Sequence, residues 1–465
     1  MAKSWATSGI DLHLEPTGGG VRRGLTDALR EAVRTGRLAP GTRLPSSRAL
    51  AADLGIARNT VADAYADLVA EGWLTARQGS GTHVSDRTVV APAGAAAPRP
   101  RTPGRPTHNL VPGTPDLASF PRAQWLKAAR RALATAPYQA LDYGDPRGRV
   151  ELRTALSAYL ARARGVRADP ERIVVCAGFS HGLRLLGAVL RARGARTVAV
   201  ESYGLDVHWN LLAAAGLRTV PLPFDERGTD PRELTDQDAV LLTPAHQFPM
   251  GATLHRDRRS AVVEWARRTG GLVVEDDYDG EFRYDRQPVG ALQGLDPDHV
   301  VHAGTASKSL APGLRLGWLV LPPGLMEEVL AAKGGIDACG SLDQLTLAEF
   351  LNSGAYDRHV RFRPAAVPAL FATPSFAELA RRVFSGPRHR DSRPVCTWCC
   401  ASRRAASSRC CGRLLWQGLA VHGLHRYQHP EAVVEEREAL VVGYGTPPDH
   451  AWAGALEALC AVLPE

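Results

Sequence analysis

Lysine is scarce in this chain, and long apolar runs are missing. Four lysines, at positions 3, 127, 308 and 333, stand among 56 lysines and arginines, so arginine carries almost all of the positive charge. No apolar run near the N-terminus resembles a signal peptide, and no uninterrupted apolar stretch reaches the roughly 18 residues that a membrane-spanning helix needs. The sequence therefore predicts a cytoplasmic protein with no membrane partner.

Cysteine is also sparse outside one segment. Cys176, Cys339 and Cys460 are scattered, and the other five of the eight cysteines lie between positions 396 and 411. Scattered cysteines are typical of a reducing compartment, where disulfides are rare. With 45% apolar and 22% charged residues over 465 positions, the chain has the composition of a globular protein with about two or three domains.

The surplus of positive charge does not by itself indicate a nucleic-acid partner. The formal net charge is +8, but residues 361 to 413 contain eleven arginines and two acidic residues. The rest of the chain therefore carries a net charge of −1. An argument for DNA binding has to come from local motifs instead.

The first 85 residues predict three short helices and a hairpin. Apolar residues recur at helical spacing in the first helix, at Val21, Leu25, Leu29 and Val33. A second helix opens at the serines of 44–48 and runs to about Leu54, Gly55 makes a turn, and a third helix spans about Arg58 to Glu71. The alternating, glycine-rich residues 72 to 84 predict a β-hairpin wing.

This arrangement resembles the GntR family of winged-helix transcriptional regulators. The resemblance rests on Leu-Pro-Ser-Ser-Arg at 44–48, Arg-Asn-Thr-Val at 58–61 and Gly-Ser-Gly-Thr at 79–82. The residues that it assigns to a DNA-binding surface are Arg48, Arg58, Asn59, Thr60 and Gly79. The two arginines are expected to contact phosphates or guanine edges. Asn59 and Thr60 are expected in the major groove, and Gly79 of the wing is expected at the minor groove. A three-helix dimerisation module is the alternative.

One residue departs from the GntR pattern. The family usually has serine or threonine where Ala57 stands. A side-chain cap worth about 1 kcal/mol is therefore expected to be missing from the third helix.

Residues 86 to 108 predict an extended or disordered linker. Five prolines alternate there with alanine, glycine and arginine. The predicted domains are thus a winged helix-turn-helix over 13–85 and a second domain over 109–465.

The second domain alternates strands and helices, which indicates an α/β fold with a mainly parallel sheet. The predicted strands are 173–176, 197–200, 240–242, 272–274 and 300–301, with a final strand near 440–445. Polar or aromatic residues follow four of them: the glycine loop 177–182, Tyr203, the acidic run 275–279 and the stretch 304–318. Ligands of open α/β sheets bind at this edge.

Lys308 lies among hydroxyls and glycines directly after an apolar strand. A lysine can lose its proton in a desolvated pocket and form an imine with an aldehyde, which arginine cannot do. With a helix-opening glycine loop, an aromatic ring and a carboxylate, it completes the set that pyridoxal phosphate (PLP) requires. A purely structural role is the alternative for each residue: Lys308 could be a solvated loop residue, Tyr203 a core residue and Asp277 a helix cap.

The second domain resembles fold-type I aminotransferases, and together with the winged module the chain resembles the MocR subfamily of GntR regulators. The resemblance rests on Glu-Asp-Asp-Tyr-Asp-Gly-Glu-Phe at 275–282, Ser-Lys at 307–308 and Ala-Pro-Gly-Leu-Arg-Leu-Gly at 311–317. It implies an N-terminal α+β winged helix-turn-helix and a C-terminal α/β aminotransferase fold of type I, with a mostly parallel sheet and a smaller C-terminal subdomain.

The same resemblance assigns a cofactor site. It gives the internal aldimine to Lys308, the pyridine nitrogen to Asp276 and the phenolic oxygen to Tyr278, and it stacks Tyr203 on the ring. The phosphate is assigned to Gly178, Phe179, Ser180, Thr305, Ser307 and Arg315. Tyr143 matches the tyrosine that the other subunit lends, which implies a homodimer.

The predicted function is a transcriptional regulator rather than an enzyme. It would bind an operator in double-stranded DNA, hold PLP as an aldimine and sense a small amine or amino acid, and no metal site is predicted. Arg426 is the candidate for gripping an effector carboxylate, with a surface arginine as the alternative. The alternative function is an active PLP-dependent aminotransferase, and a residual transaminase half-reaction stays open.

Residues 361 to about 415 break the pattern of the second domain. A long amphipathic helix and a strand are expected there, but prolines, serines and paired cysteines occur instead. We hypothesise two compensating frameshifts, because an out-of-frame translation of GC-rich DNA yields arginine, proline, serine and cysteine; a defective product is the third possible outcome for function. A zinc site is the rival, but one CxxC and a distant cysteine pair lack a standard second knuckle.

Overall fold

The computed structural model describes residues 20–77, 81–86, 106–282, 289–362, 398–401, 418–434, 439–443 and 445–462. The chain divides into two compact units, Met1–Gly104 and Arg105–Glu465. Among the described helices, none combines the length and the apolar character needed to cross a bilayer.

The first unit contains three helices and a two-stranded hairpin. They are α1 (Val21–Arg34), α2 (Ser47–Leu54), α3 (Arg58–Ala70), β1 (Leu74–Arg77) and β2 (Gly81–Val84). Gly55 turns the chain from α2 into α3 with a φ of +67°, a conformation that glycine adopts without steric cost. Since β1 and β2 pair in antiparallel register, the predicted winged helix-turn-helix is confirmed.

The helices of the first unit pack around one apolar core. Leu25, Leu29, Leu50 and Leu68 are buried in it. Val21, which the helical spacing placed on the same face, is 50% exposed. That prediction is wrong because the buried face of α1 begins only at Gly24.

The two helices of the helix-turn-helix begin differently. The side chain of Ser46 accepts a hydrogen bond from Ala49 N at 3.1 Å at the start of α2. Ala57 stands at the same position before α3 and makes no side-chain capping hydrogen bond. The cap that the sequence predicted to be missing is therefore missing.

The second unit has a longer list of elements. Its helices are α4 (Arg122–Thr135), α5 (Val150–Arg164), α6 (Phe179–Ala192), α7 (Asp206–Ala214), α8 (Arg256–Thr269), α9 (Ala306–Ser309), α10 (Met326–Ala332), α11 (Ser341–Asn352), α12 (Ala355–Phe362) and α13 (Trp452–Val462). Its strands are β3 (His108–Asn109), β4 (Ile173–Cys176), β5 (Thr197–Glu201), β6 (Arg218–Leu222), β7 (Phe224–Asp225), β8 (Gly228–Thr229), β9 (Ala239–Leu242), β10 (Leu272–Asp276), β11 (Val300–Thr305), β12 (Gly317–Val320), β13 (Trp398–Ala401), β14 (Leu419–Ala420), β15 (His422–Gly423) and β16 (Ala439–Val442).

A seven-stranded sheet organises the second unit. The strand order is β4-β12-β11-β10-β9-β5-β6. The pairs from β11 through to β6 are parallel, whereas β12 runs antiparallel to both of its neighbours. Most of these strands are apolar along their length because helices cover both faces of the sheet. The predicted α/β fold with a mostly parallel sheet is confirmed, although β6 and β12 were not predicted.

A smaller subdomain brings the C-terminal part of the chain onto the start of the second unit. Strand β16 pairs with β13 and β15, and β14 pairs in parallel with β3. Gly443 N donates to Leu110 O at 2.7 Å, and Thr446 Oγ1 donates to Thr114 O at 2.9 Å. Strand β13 lies inside the window 361–415, where the sequence pattern of the second domain breaks; most of that window is outside the described residues.

Candidate functional site

A cavity of about 240 Å³ lies at the carboxyl edge of the large sheet. Its walls come from the ends of several parallel strands and from the turn that precedes the antiparallel β12. The predicted site residues that line it are Lys308, Asp276, Tyr278, Tyr203, Phe179, Ser180, Thr305, Ser307 and Arg315. The fold thus brings most of the predicted site together.

Lys308 lies in α9, a single helical turn that directly follows β11. The turn begins at Thr305, whose Oγ1 accepts a hydrogen bond from Ser307 N at 3.2 Å. The half-buried Lys308 directs Nζ to the carbonyl oxygen of Gly113, which also lines the cavity. The amine therefore lies at the cavity wall.

The first turn of α6 forms a cradle suited to a phosphate. Gly178 precedes the helix with a φ of +80°, and a Cβ added there would lie 3.0 Å from Arg315 Nη2. A Cβ added to Gly317 would lie 2.9 Å from Gly178 Cα. The two glycines let the backbone approach closely, and the free amides of the helix start favour an anion beside the guanidinium.

Arg315 has an unusual backbone conformation. Its φ of 52° is the one positive value at a non-glycine residue among the described parts of the chain. Such a conformation costs about 1–3 kcal/mol and persists where the surroundings impose it, which is common at ligand sites. Here it directs the guanidinium to Ala177 O and to the α6 cradle.

Asp276 ends β10 with a carboxylate facing the cavity. The residue is 5% exposed, and Oδ1 has no hydrogen-bond partner among the described residues. Burial raises the pKa of Asp276 well above its usual value, against the opposing charge of Lys308. A buried, unpaired carboxylate oxygen is costly, and a protonated ring nitrogen is the kind of group that would satisfy it.

The neighbouring acidic residues are structural. Asp277 forms a buried ion pair with Arg164, so it does not act as the helix cap considered above. Glu275 accepts hydrogen bonds from Leu292 N at 2.6 Å and from Gln293 N at 3.0 Å. Within the run 275–277, only the middle carboxylate is therefore directed into the cavity.

Two aromatic residues of the predicted site have additional contacts. Tyr278 Oη donates to His246 O at 3.2 Å. Tyr203 is 4% exposed and packs edge-on against Phe224 and beside Tyr427. Its ring therefore belongs to the cavity wall and to a small apolar cluster at once.

Glu201 and His208 also line the cavity but were not predicted. Glu201 Oε1 accepts from Thr229 Oγ1 at 2.9 Å and Oε2 from Thr243 N at 3.2 Å; burial raises its pKa to about 7. The His208 ring lies 4.7 Å from the Phe179 ring, and burial, aided by Lys308, lowers its pKa to about 4. Glu201 directly follows a predicted strand, which was a usable signal; His208 lies within α7 without a motif.

Tyr143 and Arg426 do not line the cavity of a single chain. Tyr143 is 99% exposed. Arg426 lies in a separate depression, where Nη2 is 3.8 Å from Asp206 Oδ2. The predicted contribution of Tyr143 to the cavity of the other subunit and the predicted binding of an effector carboxylate by Arg426 stay predictions.

The predicted DNA-contacting residues lie at the starts of α2 and α3. Arg48, Arg58 and Asn59 are exposed and Thr60 is half-buried, so these side chains are accessible on the surface of the first unit. Gly79 lies outside the described residues.

The described residues contain no cluster of three or more histidine, cysteine or acidic residues that could hold a metal ion. Of the cysteines considered for zinc, Cys396, Cys410 and Cys411 lie outside these residues. The zinc alternative is therefore not tested by the fold.

Comparison with known proteins identifies both units. Residues 22–84 match the "Bacterial regulatory proteins, gntR family", and residues 109–358 match "Aminotransferase class I and II". The HTH-type pyridoxine biosynthesis transcriptional regulator PdxR of Corynebacterium glutamicum is 37% identical over 342 residues, 72% of this chain and 74% of that protein. The probable rhizopine catabolism regulatory protein MocR of Rhizobium meliloti is 34% identical over 367 residues, 73% of each chain.

Solved structures resemble the second unit. An archaeal alanine:glyoxylate aminotransferase superposes with a TM-score of 0.67 at 23% identity, covering 76% of this chain and 90% of that one. At this identity the likeness shows the aminotransferase fold alone.

Proposed function

This chain belongs to the MocR-type regulators of the GntR family, and from that premise we propose that it is a cytoplasmic transcriptional regulator that binds operator DNA and uses PLP to sense a small amine or amino acid. The observation that carries the cofactor part is the cavity itself. The amine of Lys308, the buried carboxyl group of Asp276 with its unpartnered Oδ1, and the α6 cradle with Arg315 face one space of about 240 Å³.

The residues fit PLP group by group. The amides of Phe179 and Ser180, with Arg315, would hold the phosphate. Asp276 would accept a hydrogen bond from the ring nitrogen and keep it protonated. When bound, PLP supplies an aldehyde that condenses reversibly with amines, and Lys308 would carry it until an effector amine competes.

The exposed residues of the helix-turn-helix support the DNA part. Arg48 and Arg58 supply positive charge for phosphates, while Asn59 offers an amide for base edges. The effector would shift the regulator between states of different DNA affinity, since a ligand shifts an equilibrium only through its differential affinity for two states.

A homodimer is part of the proposal. Tyr143 is 99% exposed, and Tyr138 nearby is 91% exposed. Two large aromatic side chains on one short segment are suited to an interface with a second copy. The second copy would place its own Tyr143 at this cavity.

An active aminotransferase remains the second candidate function. It is favoured by one observation, that the amine of Lys308 and the carboxylate of Asp276 face the same cavity. Under that alternative, purified protein consumes amino donors over many turnovers and does not retain operator DNA.

Absorbance spectroscopy tests the cofactor proposal. Purified full-length protein with added PLP is expected to show the visible band of lysine-bound PLP. Lys308→Ala should lose the band, and Lys127→Ala, which removes an exposed lysine of α4, should keep it. A wild-type protein without the band, or a Lys308→Ala protein that keeps it, would overturn the proposal.

A second experiment separates the two candidate functions. Retention of upstream DNA fragments and turnover of amino donors are measured on the same preparation. We expect DNA retention with at most one turnover per bound PLP. Sustained transamination without DNA binding would favour the aminotransferase.

A further inference from the structure

Ser309, the residue directly after Lys308, is held by two side chains of α12. Its Oγ accepts a hydrogen bond from Tyr356 Oη at 2.8 Å, and its carbonyl oxygen lies 2.8 Å from His359 Nε2. Ser309 and Tyr356 are 0% and 1% exposed. The hydroxyl and the carbonyl oxygen of Ser309 therefore both contact α12.

The turn that carries Lys308 is too short to hold its own shape. Helix α9 spans four residues, and an isolated helix of that length is unstable because nucleation is costly. Thr305 fixes its start through the hydrogen bond from Ser307 N. Its end is closed by the backbone hydrogen bond from Leu310 N to Ala306 O at 2.9 Å and is tied to the core by the two contacts from α12. These two contacts therefore help to set the direction of the Lys308 side chain.

Glu281 shares the hydroxyl of Tyr356. Its Oε1 lies 2.9 Å from Tyr356 Oη, and its Oε2 has no hydrogen-bond partner among the described residues. A phenol has one proton, so Tyr356 donates to Glu281 or to Ser309 but not to both at once. When Glu281 is protonated it can donate to Tyr356, and Tyr356 then donates to Ser309.

The surroundings of Glu281 favour the protonated form at neutral pH. Burial raises the pKa of Glu281 to about 8, Asp277 and Asp279 add to the shift, and the hydrogen bond from Tyr356 and the charge of Arg164 oppose it. The remaining titratable group that faces it in the described chain is the phenol of Tyr159. Near neutral pH the hydrogen-bond chain therefore runs from Glu281 through Tyr356 to Ser309.

We propose that Tyr356 is a positioning residue for Lys308. Through its hydrogen bond to Ser309 it fixes the turn that directs the amine into the cavity, and when Glu281 is ionised the Tyr356 hydroxyl donates to Glu281 instead of Ser309. The proposal rests on the proposed role of Lys308 as the PLP-bearing lysine. The hydrogen bonds that support the positioning role are made within this chain, and they do not involve the cofactor.

The scarcity of lysine allows a direct test on the full-length protein. Limited acetylation followed by peptide mass spectrometry gives the rate at Lys308 relative to the exposed Lys127 of the same molecule. At about pH 6.5, Tyr356→Phe and Ser309→Ala are each expected to raise this ratio about threefold, since each removes one buried hydrogen bond. The matched control is Tyr159→Phe, whose ring packs 5.1 Å from that of Tyr356 in the same core.

The pH dependence distinguishes positioning from a general loss of packing. At about pH 9.5, above the titration of Glu281, the wild-type ratio should rise to that of Tyr356→Phe. Glu281→Gln should keep the low ratio at both pH values, because an amide donates to Tyr356 at any pH. If Tyr356→Phe and Ser309→Ala match Tyr159→Phe at the lower pH, or if Glu281→Gln follows the wild type, the proposal is wrong.

PLP affinity gives a second readout and separates the two proposals. Tyr356→Phe should bind PLP about fivefold more weakly while still forming the visible band, whereas Lys308→Ala loses the band. A wild-type protein that binds no PLP would refute the cofactor proposal, yet the acetylation ratios would still decide whether Tyr356 positions Lys308. Affinity unchanged in Tyr356→Phe would overturn the positioning role.

Discussion

Arg164 Nε donates to Asp277 Oδ2 at 2.7 Å and Arg164 Nη2 donates to Asp277 Oδ1 at 2.8 Å, with 4% and 3% of the two side chains exposed. Burial disfavours the charged carboxylate, but Arg164 outweighs it and keeps the pKa of Asp277 below its usual value. This pair lies one residue from the cavity carboxylate of Asp276, so it fixes the strand end that presents Asp276.

Removal of one partner should be costly. Asp277→Ala leaves the Arg164 charge buried without its partner and is expected to lower the free energy of unfolding by about 3–5 kcal/mol. Urea unfolding of the full-length protein measures it. Glu328→Ala is the control, because it breaks an exposed pair with Arg193 and should cost less than about 1 kcal/mol. Equal costs for the two variants would contradict the prediction.

Asp276→Asn should weaken PLP binding without abolishing it. The amide keeps the shape but loses the negative charge that stabilises a protonated ring nitrogen, and we expect a dissociation constant about tenfold higher. Titration of the visible band measures the change. Asp298→Asn, an exposed aspartate just before β11 at the other edge of the sheet, should behave as wild type. Unchanged affinity in Asp276→Asn would rule out this role.

Glu201 should make the folded state less stable as the pH rises from about 5 to about 8. Its pKa is raised by burial from 4.5 to about 7, so the native state binds more protons than the unfolded state between these values, and stability falls as pH rises through them. The wild type should lose about 2 kcal/mol more than Glu201→Gln between about pH 5 and about pH 8. Urea titrations at both pH values measure this difference, and identical pH profiles would refute it.

Arg58→Ala should reduce DNA affinity and its salt dependence. An arginine that contacts one phosphate contributes about one unit to the slope of log affinity against log salt. Filter binding to upstream DNA over a range of salt concentrations checks the slope. Arg23→Ala removes a 79%-exposed arginine on α1 and should leave the slope unchanged. A slope that is the same in Arg58→Ala and wild type would exclude the phosphate contact.

The composition of residues 361–415 makes a prediction about the gene. The aminotransferase match ends at residue 358, just before this window. Translation of the DNA in the other two frames should yield an amphipathic, arginine-bearing helix that continues α12. Resequencing should locate two compensating insertions or deletions. An in-frame sequence with no family-like helix in any frame would refute the hypothesis.

The grouping of residues in the cavity could be predicted because it follows from topology. The carboxyl ends of parallel strands meet at one edge, so motifs after β4, β10 and β11 had to come together. Strand β12 was not predicted because its first residue, Gly317, lies inside the lysine motif and the strand runs against the parallel pattern. The chemical roles of Lys308 and Asp276 are still predictions.

Other features depend on contacts that no local pattern encodes. Burial raises the pKa of Glu201. Its hydrogen-bond partners are Thr229, in the β7–β8 hairpin, and Thr243, which follows β9. Tyr356 reaches Ser309 across 47 positions of sequence. Hydrogen bonds of this kind become visible only once the helices are packed.

The hydrogen bonds that join residues 443–446 to residues 110–114 affect when the cavity can form during synthesis. Gly113 and Thr114 line the cavity, and their segment is held by Gly443 and Thr446 from near the C-terminus. A nascent chain on the ribosome can build most of the sheet, yet it cannot close this wall until Gly443 and Thr446 have emerged. Ligand capture is therefore expected to follow the synthesis of residues 443–446, and chains that stop before them should retain the ligand more weakly.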